Sequence, residues 1–213
     1  MEDTSVITGK MRMLFLLITF HSGVNLHGQD HELLKKEILE MGTEDQRYRL
    51  QIDSVEKIYG IRSPQLTELW KTIHQKDSVN MSRASAILDK YGWLGPQEIG
   101  DSAYYSIFFI VMHFNLQSQK KYLPMIRDAV KIGKANKTEL ALLEDRVALA
   151  EDGKQIYGTQ IRYDENTNEY YLAPLADPKD VDSKRKKMGL NPLTEYLKQY
   201  KIIWDPETYV PRE

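Results

Sequence analysis

The sequence has no cysteine. A thiol is required for a disulfide bond, a lipobox anchor, a thiolate zinc site and a cysteine nucleophile, so all four are excluded. Histidine is also scarce. Only His31, His74 and His113 follow residue 28, and none belongs to a His-Glu-x-x-His pair. We therefore expect no metal ion and no cofactor.

Neither sign of charge is in large excess. The chain carries 29 basic and 31 acidic residues, which gives a formal net charge of -2 at pH 7. Without a broad positive field, a protein does not attract nucleic acid or anionic lipid through its overall charge. We expect no nucleic-acid partner, whereas a protein partner stays open.

Long hydrophobic runs are missing as well. The N-terminal apolar run, residues 13–20, is far shorter than the roughly 20 residues that cross a bilayer, so we expect no stable membrane anchor. Lys10 and Arg12 precede this run, and small or neutral residues lead to Gly28, as in a secretory signal peptide. We expect residues 1–28 to be a cleaved leader and the mature chain to be periplasmic or secreted. The alternative is an uncleaved tail.

Residues 29–213 have the length and apolar content of one globular domain, since 41% of the whole chain is hydrophobic. Apolar residues at helical spacing predict that the first part, up to residue 152, is helical. Ser63 followed by Pro64 is typical of a helix start. The predicted helices cover residues 32–41, 45–59, 63–75, 82–90, 101–114, 123–132 and 137–151. Glycines stand where C-terminal caps belong, at Gly42, Gly60, Gly92 and Gly133.

The pattern changes in residues 153–213. Residues 156–163 and 169–175 contain strand-forming residues on either side of the polar segment 164–168, which predicts a β-hairpin. Two short helices are predicted at residues 181–188 and 191–200. The basic run at residues 184–187 is predicted to be a solvated helix face. The expected fold is mainly α: a multi-helix domain with a C-terminal β-hairpin and short terminal helices.

Asp145 and Arg146 interrupt a helix that is apolar nearly all round, residues 140–150. A buried charge has to be paired within the fold or take part in binding or catalysis, so this segment is the first place to look for a site. Adjacent helical residues diverge by about 100°, so the two charges serve different partners. Arg146 can clamp a carboxylate or phosphate with its planar fork. Asp145 can orient His113, cap the loop after the helix, or belong to a buried structural network.

A polar segment broken by a glycine follows at residues 155–160. In an extended strand Gln155, Tyr157 and Thr159 share one face, with Gln160 beside them. The glycine lets the backbone approach another group closely. Hydroxyls and amides on one face suit hydrogen bonding to a sugar, a peptide or a nucleoside. A purely structural role for these side chains is the alternative.

Three further groups are candidates for a site. Asp45, Gln46 and Arg49 lie on one helical face, as a polar pocket wall or as a salt-bridged surface. Trp93, in a Tyr-Gly-Trp corner between two helices, offers a ligand-stacking face or packs the corner. His113 ends the most apolar helix, where an imidazole acts as a general base, donates to an anion, or is a hydrogen-bonded core residue.

Together these residues resemble a bacterial family that is known only as a domain of unknown function. The resemblance covers nearly the whole chain after residue 28 and implies no established activity. It rests on Asp45-Gln46 with Arg49, Tyr91-Gly92-Trp93, His113, Leu123-Pro124, Asp145-Arg146 and Gln155-x-Tyr157-Gly158-Thr159-Gln160.

The chain departs from the family pattern at three positions. The family usually reads Tyr-Gly-Trp-Pro and Gln-His-x-Asp, whereas this chain has Leu94, Met112 and Asn115 at those places. An asparagine acts neither as a base nor as a carboxylate ligand, so the resemblance carries no acidic role to residue 115. His113 is the only matched imidazole.

The residues and the resemblance favour a polar-pocket domain that binds a small polar or anionic ligand. The candidate ligand-binding residues are Asp45, Gln46, Arg49, Trp93, Gln155, Tyr157, Thr159 and Gln160, together with His113 and Arg146. One alternative is a metal-independent hydrolase or transferase with His113 as the general base. In that case Asp145 or Asp45 orients the imidazole, and Arg146 stabilises developing negative charge. A second alternative is a structural or interaction domain without pocket chemistry.

Overall fold

The computed structural model describes the backbone of residues 26–212 and the side chains of residues 31–212. It is mainly helical and has a two-stranded antiparallel hairpin in its C-terminal part, which confirms the predicted fold class. The elements in chain order are α1 Leu26–Arg49, α2 Ile52–Tyr59, α3 Pro64–Tyr91, α4 Pro96–Ile99, α5 Asp101–Met112, α6 Leu116–Lys131, α7 Lys137–Asp152, β1 Ile161–Asp164, β2 Glu169–Leu172, α8 Val181–Lys187 and α9 Leu193–Lys198.

The predicted leader, residues 1–28, lies outside the described residues up to residue 25, so cleavage and export stay expectations. Among the helices that the structure describes, none combines the length and the apolar character that a bilayer span requires.

Helix α5 is the centre of the helical part, as its apolar sequence predicts. Most of its side chains are buried, and α1, α3, α4 and α6 contact it. The buried residues of this core extend from Leu34 in α1 to Val147 in α7. An apolar helix packed against amphipathic helices buries a large apolar area, which is the main stabilising contribution in such a fold. Tyr105 and Phe109 of α5 stay exposed.

Gly42 is not a helix cap, and that prediction was wrong. Helix α1 continues through it to Arg49. Gly42 is buried where α1 crosses α5, and a Cβ atom there would lie 2.6 Å from the Cβ of Ser106. The glycine therefore permits a close helix crossing rather than a turn.

Helix α3 is longer than either of the two helices predicted from its sequence. Residues 76–81 contain no glycine or proline to end it. Asn80, in this stretch, is buried, and its Nδ2 donates to the carbonyl of Met41 at 3.3 Å. The bond compensates the buried amide, so a polar residue is tolerated on the buried face of α3.

Two capping residues behave as their types predict. The Ser63 hydroxyl accepts a hydrogen bond from the Leu66 amide at 3.2 Å, with Pro64 as the first residue of α3. Asn115 caps α6, because its side-chain oxygen accepts from the Ser118 amide at 2.9 Å. Aspartate and asparagine cap helices about equally well, which gives a structural reason for either residue at position 115.

The hairpin is present but shorter than predicted. Its register pairs Ile161 with Leu172 and Asp164 with Glu169, so β1 begins five residues after the predicted start at residue 156. The predicted helices that follow are present as α8 and α9. Together they bury a second apolar cluster, formed by Leu172, Leu175, Val181, Leu193 and Leu197.

Candidate functional site

The Asp145 carboxylate, on α7, holds the segment between α7 and the hairpin. It is 0% exposed. One oxygen accepts from the amides of Ile156 at 2.6 Å and Tyr157 at 2.7 Å, and the other accepts from the Thr159 amide at 2.8 Å. Burial raises the pKa of Asp145, and the three amide donors oppose that rise. Of the two predicted contacts, the structure therefore shows the one to the loop and not the one to His113.

The loop is held from its other side by α8 and α9. Gly158 has φ +75°, and a Cβ there would lie 2.9 Å from Cδ1 of Leu193. Arg185, in α8, is buried and donates to the carbonyls of Tyr157 at 2.7 Å and Asn191 at 2.6 Å. The prediction of a solvated basic face was therefore wrong at Arg185, because its side chain is buried and its guanidinium donates to these backbone carbonyls.

Residues 155–160 form a turn around Asp145, so the predicted extended binding face was wrong. Gln155 is fully buried, and its amide nitrogen donates to the carbonyls of Gln160 at 2.9 Å and Ala173 at 2.8 Å. Its side-chain oxygen accepts from the Gln160 amide at 2.7 Å. These bonds use the polar capacity of Gln155 within the scaffold.

Tyr157 and Trp93 are also placed in scaffold contacts. The Tyr157 hydroxyl donates to Glu144 at 2.8 Å. Trp93 is buried in the helical core, with its ring edge-on to Tyr104 at a centroid distance of 6.2 Å. Neither residue is among those that line the cavity next to His113, although the sequence predicted both as ligand contacts.

Asp45 contacts His113. The sequence had predicted either Asp45 or Asp145 as the partner of this imidazole. Asp45 lies on α1 and is 1% exposed, and its Oδ1 is 2.9 Å from Nδ1 of His113, the residue that ends α5. Nη1 of Arg49 donates to the same oxygen at 3.1 Å. The Gln46 amide donates to the other oxygen at 2.7 Å. The structure thus brings Asp45, Gln46, Arg49 and His113 together.

Asp77, on α3, completes this cluster and was missed from the sequence. Nη2 of Arg49 donates to both of its carboxylate oxygens at 2.8 Å. Asp77 stands 28 positions from Arg49 in a polar stretch, so no spacing rule connects the two. Ligand atoms of Asp45, Asp77 and His113 lie within 4.8 Å of one another, a set that suits a divalent cation in type. Any such cation would share both carboxylates with the Arg49 guanidinium.

A pocket of about 390 Å³ lies between α5, α7 and the hairpin. Phe108, Met112 and Leu142 contribute apolar surface to it. His113, Arg146, Thr159 and Gln160 contribute polar side chains, and Tyr170 and Tyr200 also line it. Four of the residues predicted from the sequence therefore line one cavity, at the junction of the helical part and the hairpin.

Arg146 is a half-buried cation in this pocket. Its Nη1 donates to the Met112 carbonyl at 3.0 Å, and its buried Nε has no hydrogen-bond partner. Burial lowers its pKa. Within residues 31–212 no carboxylate forms an ion pair with it. The pocket therefore contains a positive charge that the surrounding side chains leave uncompensated.

The Asp145 contacts predict a large effect of removing its charge. In Asp145→Asn the side chain has one acceptor oxygen, and its amide group meets backbone N–H donors, so buried donors lose their partner. We expect the free energy of unfolding to fall by about 1 to 3 kcal/mol, measured by urea denaturation. Asp152→Asn, at the exposed end of the same helix, is the control and should change little. Equal stability of the two variants would contradict the anchoring role.

Comparisons with known proteins give a family and no activity. No curated protein and no solved structure matches the chain. The model of a family of unknown function, DUF6624, matches residues 32–205, a stretch that runs from α1 to beyond α9 and contains every residue of the pocket. Because this match covers most of the sequence, the chain belongs to DUF6624, a family of unknown function.

Proposed function

We propose that the protein binds a small anionic ligand in the pocket between α5, α7 and the hairpin. The observation that carries the proposal is Arg146, a half-buried guanidinium that no carboxylate compensates among the described residues. A buried charge costs free energy unless it is paired. A ligand carboxylate or phosphate supplies the missing partner, and the planar guanidinium can bind either one with two hydrogen bonds.

The other polar groups of the pocket fit this role. Thr159 and Gln160 offer a hydroxyl and an amide, and they are joined by a 3.0 Å bond from Nε2 of Gln160 to Oγ1 of Thr159. His113 offers an imidazole on the same lining. A volume of about 390 Å³ is in the range of small-molecule sites. The proposed pocket therefore contains fewer residues than the polar pocket that the sequence predicted.

The contrast with Arg49 strengthens the proposal. Arg49 is also mostly buried, but it bonds Asp45 and Asp77 and needs no further anion. Both arginines lie near His113, one on the Asp45 side and one on the pocket side. Of these two arginines, only Arg146 lines the pocket and has no carboxylate partner among the described residues. We therefore assign ligand binding to Arg146 and a positioning role to Arg49.

Anion-dependent stabilisation tests the proposal. Phosphate, sulfate and acetate are titrated against the wild-type protein while the melting temperature is followed. At least one of these anions should raise it, because a ligand that binds only the folded state stabilises that state. In Arg146→Gln the rise should vanish, and the ligand-free variant should be no less stable than wild type, because an uncompensated charge has been removed.

Arg62→Gln is the control for general charge effects, since Arg62 is exposed and pairs with Glu165 at 3.6 Å. It should retain the anion response of the wild-type protein. A response that persists in Arg146→Gln, or no response to any of the three anions, contradicts the proposed function.

A hydrolase or transferase is the second candidate, and the contact between His113 and Asp45 favours it. A general base needs a partner that fixes its orientation and a nearby group that stabilises negative charge. Asp45 holds Nδ1 of His113 at 2.9 Å, which leaves Nε2 as the proton acceptor, and Arg146 lines the same pocket. In this candidate Asp45 and not Asp145 orients the base.

Turnover of chromogenic phosphate monoesters, phosphate diesters and carboxylate esters tests the second candidate. His113→Ala should lower the rate by about 100-fold or more, as expected when a general base is lost. His74→Ala, an exposed histidine on α3, should keep the wild-type rate. Absence of turnover with all three substrate classes, or an equal rate in His113→Ala, contradicts a catalytic role.

A further inference from the structure

A second and larger cavity adjoins the pocket of His113 and Arg146. It has a volume of about 740 Å³ and lies between β2 and the C-terminal segment, residues 199–212. We call it the aromatic cleft, because Tyr170, Tyr171, Tyr200, Trp204 and Tyr209 line it. Its volume is within the range of ligand sites.

Two tyrosines connect the cleft to the anion pocket. Tyr170 and Tyr200 line both cavities, and their ring centroids are 5.5 Å apart. The two rings lie at the boundary, so the cavities adjoin there. A ligand larger than a simple anion that extends across these rings contacts the lining of both cavities.

The far wall of the cleft is held in place by its own bonds. The rings of Trp204 and Tyr209 pack with centroids 5.1 Å apart. The Tyr209 hydroxyl accepts from the Leu175 amide at 3.1 Å. Asp205 fixes the intervening turn, since its carboxylate accepts from the Glu207 amide and the Thr208 hydroxyl, both at 3.0 Å. The aromatic surface is therefore formed before any ligand arrives, which lowers the entropic cost of binding.

The charges in the cleft are balanced, unlike those in the anion pocket. The lining contains two acidic residues, Glu169 and Asp205, and two basic residues, Lys201 and Arg212. Arg212 lies 3.7 Å from Glu169. Asn168, Gln199 and Thr208 add neutral hydrogen-bonding groups. A balanced lining gives no preference for a second charge on the ligand. It suits a neutral ring with an apolar face for the aromatic residues and hydroxyl groups for the amides and carboxylates.

A carbohydrate has this combination of an apolar ring face and a hydroxylated edge. We propose that the aromatic cleft binds the sugar rings of an acidic carbohydrate whose anionic group reaches Arg146 and His113. The proposal rests on the proposed function for the position of the anionic group. The sugar-binding role of the cleft depends on other residues, so an experiment can contradict the sugar cleft and the anion pocket independently.

Isothermal titration calorimetry on the whole chain tests this inference. The probes are trisaccharides of glucose, galactose and N-acetylglucosamine, and the corresponding trisaccharides of glucuronic and galacturonic acid. We expect an acidic trisaccharide to bind the wild-type protein, and both Trp204→Ala and Arg146→Gln to weaken it by roughly tenfold or more. Neutral trisaccharide binding should depend on Trp204 and not on Arg146.

Two variants control for nonspecific effects. Trp204→Phe keeps an aromatic face and should retain most of the binding, which separates stacking from a change in folding. Trp70→Ala removes an exposed tryptophan on α3, outside the cleft, and should bind like wild type.

The outcomes separate the two proposals. Acidic trisaccharide binding that depends on Arg146 but not on Trp204 overturns the sugar cleft and supports the anion pocket. Binding that depends on Trp204 but not on Arg146 supports the sugar cleft and overturns the anion pocket. If no trisaccharide of the panel binds, the sugar assignment is wrong.

Discussion

The arrangement of the site depends on one buried carboxylate. Asp145 accepts three backbone hydrogen bonds from the loop that follows its own helix, and these bonds fix where the hairpin lies on the helices. Thr159 and Gln160 enter the pocket from that loop, while His113 and Arg146 enter it from α5 and α7. The pocket is therefore a junction whose shape follows from Asp145. This is why Asp145, which does not line the pocket, is central to the function we propose.

Charge compensation distinguishes scaffold from site in this molecule. The carboxylates of Asp45 and Asp77 share Arg49, and Arg185 is satisfied by loop carbonyls and the ring of Tyr196, 5.0 Å from its guanidinium carbon. Each of these buried charges has its partners inside the fold. Arg146 differs, because it has one backbone acceptor and a buried Nε without a partner. An uncompensated cation beside an oriented imidazole is the physical basis for an anionic ligand.

Much of the fold follows from local sequence signals, whereas the site depends on long-range contacts. The buried α5, the cap at Ser63 and the hairpin were predicted because periodicity, capping and turn chemistry act within a few residues. Gly42 was misread because a glycine at a helix crossing and a glycine at a helix end look alike in sequence. The turn at residues 155–160 was wrongly predicted to be extended. Its conformation depends on hydrogen bonds to Asp145, and a local sequence pattern does not include that residue. Asp77 gave no signal at all, since its partner lies 28 residues away. The adjacent charges in an apolar helix nevertheless predicted the contact between Asp145 and the loop that follows.

Amide hydrogen exchange measured by NMR tests the anchoring of the loop most directly. Although residues 155–160 lie outside regular strands and helices, we expect the amides of Ile156, Tyr157 and Thr159 to exchange about as slowly as those of the buried helix α5. Their hydrogen bonds to Asp145 open only when the hairpin leaves the helices. Exchange as fast as that of the exposed hairpin turn, residues 165–168, would contradict the account. The loop would then move independently of Asp145, and the pocket would have no fixed shape.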